Sequence, residues 1–67
     1  MGNISLKISE DDPEVAYLYL PAHPGKEIFG VVKKQVRALD LIPNYKGPDV
    51  YLDFDGEGVL IGIEILG

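Results

Sequence analysis

The chain has 67 residues, with eleven acidic against six basic side chains, a formal charge of −5 and a pI near 4.5. That charge repels phosphate backbones and speaks against nucleic-acid binding, and no apolar run nears the ~18 residues of a membrane span. Cysteine is absent, which excludes disulfides and thiolate metal sites, while a 46% hydrophobic content argues for a globular chain over a disordered one. The length predicts a single small domain over residues 1–67. Such a domain buries only about 60% of the surface its unfolded chain exposes, and usually adds a disulfide, a metal or a partner chain. With disulfides excluded, a homodimer or other homo-oligomer is the expected remedy. The start, M-G-N-I-S-L-K-I-S, has no basic region ahead of a long apolar core, so a soluble cytoplasmic protein is expected.

In chain order, Ile4, Leu6 and Ile8 alternate with Ser5, Lys7 and Ser9, the pattern of a strand with one wet face. At Glu10-Asp11-Asp12-Pro13-Glu14, Asp12 can cap a helical turn with Pro13 at its first position, so at most one or two helical turns are expected there. Val15 to Leu20 is rich in strand formers. Leu18 and Leu20 suit a core face; Tyr17 and Tyr19 suit the other, with their hydroxyls toward water. Pro21 to Gly25 reads as a loop that leaves His23 exposed.

Ile28 to Ile42 fits two patterns. Ile28, Val31, Val32, Val36 and Leu39 make a helical stripe, yet Gly30 and three β-branched valines weaken a helix. As a strand, Val32, Val36 and Ala38 share a face with Lys34, which suits a twisted edge strand or a bulge. Ile42 to Pro48 is a second loop, with two prolines and a glycine.

The last stretch reads V-Y-L-D-F-D-G-E-G-V-L-I-G-I-E-I-L, from Val50 to Leu66. Two alternating apolar runs flank an Asp-Gly turn signal, which predicts a C-terminal β-hairpin. Setting Phe54 opposite Val59 brings Leu52 to Ile61 and Val50 to Ile63, so that core meets core. On the other face Tyr51 then covers Gly62 and Asp53 lies opposite Leu60; an aromatic ring over a bare glycine repairs a weak strand position. The fold class expected is mainly β: a small antiparallel sheet with this hairpin and at most one short helical turn.

Two motifs carry a family resemblance. Asp12-Pro13-Glu14-Val15-Ala16-Tyr17-Leu18-Tyr19-Leu20 is similar to a D-x-E-A-D-A-L-Y-I segment. Asp53-Phe54-Asp55-Gly56-Glu57-Gly58 followed by Gly62-Ile63-Glu64-Ile65-Leu66 is similar to an acidic turn followed by G-I-E-I-L. Together they resemble the small proteins grouped as domain of unknown function 2283. The chain departs from that pattern at Ala16, where the family commonly has Asp, and at Tyr17, where a small residue is usual. The resemblance implies a sheet-rich fold, favours strand for Val31 to Leu41, and implies no activity.

Asp53, Asp55, Glu57, Gly58 and Glu64 nearly satisfy a calcium-loop pattern, with Glu57 in place of Asp or Asn. Such a loop needs a helix on each side, whereas this alternation is that of strands. The expectation is a hairpin turn with solvated acids that pair with Lys33, Lys34 or Arg37, and neither a metal nor another cofactor. No nucleophile, base and orienting group can be assembled from Ser5, Ser9 and His23, so no catalytic residue is expected. Both strand faces carry apolar side chains, and Tyr17, Tyr19, Tyr51, Leu60 and Leu66 are the expected interface. The leading function is thus a non-enzymatic, self-associating interaction or structural module. An acidic metal- or small-ligand-binding module is one rival, and an enzyme with a site shared between subunits is another.

Overall fold

Five short strands pair into one antiparallel sheet in a computed structural model that describes residues 3–24 and 30–67. The strands are β1 (Ser5–Ile8), β2 (Ala16–Tyr19), β3 (Lys34–Arg37), β4 (Val50–Phe54) and β5 (Leu60–Ile65). One helix, α1 (Ala38–Leu41), follows β3 directly. The order across the sheet is β1-β2-β5-β4-β3, so β5 lies at the centre and β1 and β3 form the edges.

The alternation of the sequence becomes two faces. Leu6, Leu18, Ile63, Leu52 and Val36 are paired in one row across all five strands. Ile8, Ala16, Ile65 and Val50 make the next row on that aliphatic face. The opposite face carries Ser5, Tyr19, Gly62, Asp53 and Gln35 in one row, and Lys7, Tyr17, Glu64, Tyr51 and Arg37 in the other. Ile61 is the one apolar residue fully buried among those described, at 0% exposure. Leu6 and Ile8 are 56% and 52% exposed. Outside the sheet, α1 contacts β3 and β4.

Local chemistry sets the connections. Between β1 and β2, Ser9 Oγ accepts from the Asp11 and Asp12 amides, and Asp12 Oδ1 accepts from the Glu14 amide at 3.0 Å. The segment at Pro13 is therefore a hydrogen-bonded turn and not a helical one, because Asp12 offers the backbone a local partner that competes with a helix. The helix lies at Ala38–Leu41 instead, and Val31 to Leu41 is not one strand. Lys34–Arg37 finds a ladder on β4, and its Lys34 sits on an edge strand as the pattern suggests. Beyond Arg37 the good helix formers Ala38, Leu39 and Leu41 turn the chain back. Ile28 and Phe29, at the start of that segment, lie outside the described residues.

The hairpin is present, but in a different register from the expected one. Asp55 pairs with Val59 through its amide at 3.0 Å, and the Gly58 amide donates to the Asp55 carbonyl at 3.1 Å. Gly58 has φ +83, so this is a three-residue loop with a left-handed glycine bulge, not the four-residue loop that Phe54 opposite Val59 requires. Phe54 faces Leu60 instead. One residue further the register shifts again, and Asp53 faces Gly62. Leu52 therefore meets Ile63 and Val50 meets Ile65, with Ile61 inserted at the bulge. The two one-residue offsets cancel in parity, so the aliphatic sets still share a face. Tyr51 lies opposite Glu64 and not Gly62. Leu60 is carried to the side of its partner Phe54, away from the tyrosines.

Candidate functional site

On the polar face, side chains of different strands hydrogen-bond to one another. Its centre is Asp53 on β4, only 4% exposed. Tyr17 Oη donates to Asp53 Oδ2 at 2.9 Å, and Gln35 Nε2 donates to Asp53 Oδ1 at 2.8 Å. Both carboxylate oxygens thus have donors, which a carboxylate this deep needs. Tyr17 reaches Asp53 by lying over Gly62, the residue of β5 between them. A Cβ built on Gly62 would overlap the Tyr17 hydroxyl and ring. The expectation of an aromatic side chain over a bare glycine holds in kind, with Tyr17 in place of Tyr51. Burial first, then the hydrogen bond to Asp53 and its charge, pushes the Tyr17 phenol well above its ordinary pKa of 10.0.

Beside this network, Tyr17, Tyr19 and His23 meet edge to face. Tyr17 and Tyr19 have ring centroids 4.7 Å apart at 71°, and Tyr19 and His23 4.8 Å apart at 80°. His23 also lies 5.9 Å from Tyr17. His23 is therefore half-buried against tyrosines, not the exposed loop residue expected between two prolines. The amide of His23 donates to the Leu20 carbonyl, which folds the loop back over β2. At the other margin Arg37 forks onto Asp49, with Nε to Oδ1 at 2.8 Å and Nη2 to Oδ2 at 3.0 Å. Its guanidinium also lies 5.7 Å from the Tyr51 centroid. The hydrogen bond to Asp49 and that residue's charge raise the Arg37 pKa.

The four acidic candidates separate in space. Asp53 is engaged within the sheet. Asp55 turns its Oδ1 onto the amides of Glu57 and Val59 at 2.8 and 3.0 Å, stabilising its own turn. Glu57 is exposed at the loop tip, and Glu64 sits between Tyr17 and Tyr51 in its row. Among the described residues no three His, Asp or Glu side chains gather as a metal site. The expected lysine partners give way to Gln35 at Asp53, and Arg37 takes Asp49. Of the five expected interface residues, Tyr17, Tyr19 and Tyr51 stand on the polar face, Leu60 pairs with Phe54, and Leu66 is exposed beyond β5 with its amide on the Asp49 carbonyl. The tyrosine, aspartate and glutamine network escapes a reading of the sequence, because it joins residues 36 and 18 positions apart. Its one local signal is an aspartate inside a strand-forming run, which demands a donor once buried.

These features define a small antiparallel β-sheet protein with one short helix, one aliphatic sheet face and one aromatic, hydrogen-bonded face. The chain belongs to the family described as Protein of unknown function (DUF2283), which matches it over residues 4–67. No curated protein and no solved structure matches it. No helix among the described residues is long and apolar enough to cross a membrane.

Proposed function

We propose that the chain is a non-enzymatic, self-associating structural or interaction module of the cytoplasm, whose fold is completed by another copy of itself. The observation that carries this reading is the small core: Ile61 alone among described apolar residues is fully buried. Domains ordinarily place two packed layers around a core, whereas on this sheet's aliphatic face Leu18, Leu52 and Ile63 are only half-buried and Leu6 and Ile8 are exposed. Two of the carboxylates are occupied in structural roles, Asp53 by two donors and Asp55 by its turn. Sedimentation equilibrium tests the reading. At about 100 μM, well above the micromolar affinity of a modest interface, a dimer or larger species is expected, and a monomer would overturn the proposal.

A further inference from the structure

We infer that the second copy seats on the aliphatic face, so that two sheets pack face to face as a two-layer sandwich with both tyrosine faces outward. This rests on the self-association reading and adds to it which surface is used. The exposed area favours a second copy as occupant. The chain exposes 4970 Å² at a mass of 7.3 kDa. A compact monomer of that mass exposes about 4,200 Å². The excess of about 800 Å² is close to what each partner contributes to a standard interface.

Charge decides between the faces. Each copy carries a formal −5, so two copies repel unless the surface between them is free of acids. The two full aliphatic rows contain none, and Lys34, opposite Phe54, is the charged residue at their corner. Docking through the other face would bury Glu64, Lys7 and the Arg37–Asp49 pair, a desolvation cost that the acid-free aliphatic rows do not carry. The sandwich places the sheets about 10 Å apart, the spacing at which facing aliphatic side chains interdigitate.

An isotope-filtered NOE experiment on mixed labelled and unlabelled full chain tests the assignment. Methyl contacts between copies are expected from Leu18, Leu52 and Ile63. Contacts from the Tyr19 and Tyr51 rings alone, or between β1 backbones alone, would overturn the face assignment while leaving self-association intact. A monomer would overturn both. Two variants with the same change in net charge give a second readout. Leu6 points from β1 into the aliphatic row and is already 56% exposed, so Leu6→Asp leaves the protomer's own contacts largely in place. It should raise the dissociation constant by tenfold or more, whereas Lys7→Gln on the opposite face should change it less than threefold. Equal effects would sink the proposal.

Discussion

Gly62 and Tyr17 act as one unit. The glycine is buried and leaves the space that the tyrosine fills on its way to Asp53. Gly62→Ala should push the ring aside and break that hydrogen bond, costing about 1–3 kcal/mol by overpacking, read from urea unfolding. Tyr17→Phe should cost about 1–2 kcal/mol by leaving one oxygen of a buried carboxylate without its donor. The double variant should cost less than the sum, because both remove the same bond. A sum that is simply additive would show the two sites to be independent. The same tyrosine sets a pH dependence. An unfolded chain releases a tyrosine proton near pH 10, about where free phenols titrate. In the fold, burial and Asp53 hold that proton on. The folded state then binds more protons than the unfolded one, so this contribution is complete below about pH 10 and declines as pH rises further. Urea midpoints compared between roughly pH 8 and pH 11 should fall more steeply for the native chain than for Tyr17→Phe.

At the scale of elements, the hairpin turn is held by its own residues. Asp55→Ala removes an acceptor from two amides, and Gly58→Ala forces a side chain onto φ +83. Each should destabilise the chain by about 1–2 kcal/mol. With Asp55 committed to the turn and strands on both sides, calorimetric titration with calcium should show nothing tighter than roughly millimolar, the weak end for such loops. Micromolar affinity lost in Glu64→Gln would show instead that the acids gather around the ion. The strands themselves are legible in the sequence, since Leu6, Ile8, Leu52 and Ile63 keep strict alternation. The register is not, because the positive φ of Gly58 and the bulge at Ile61 are decided by turn geometry and by pairing with β2, and alternation alone is blind to two offsets that cancel. The change from strand to helix at Arg37 is hidden for a related reason. Val32 and Val36, four apart, satisfy either period, and only the neighbouring β4 decides where the ladder stops. The Asp53 network needed the order β2-β5-β4-β3 before its members could be seen as neighbours.

For the whole molecule, stability and assembly are predicted to be one property. If the aliphatic face is covered by a second copy, unfolding releases two chains, and the melting temperature must rise with protein concentration. Melts across a hundredfold dilution series should show that rise, and Leu6→Asp should lower the midpoint throughout the series. A midpoint independent of concentration in the native chain would mean that the single sheet stands alone. The position of β5 at the centre of the sheet also bears on how the chain is made. It is the last strand in chain order, yet β2 and β4 both depend on it for a neighbour. At ordinary rates of translation, the roughly 40 residues between the end of β2 and the start of β5 take about 2–8 s to synthesise. Through that interval β1 and β2 can form only a two-stranded ribbon, with one side of β2 bare and its leucines exposed. Closure of the sheet waits for Leu60–Ile65, which alone joins the β1-β2 pair to the β4-β3 pair.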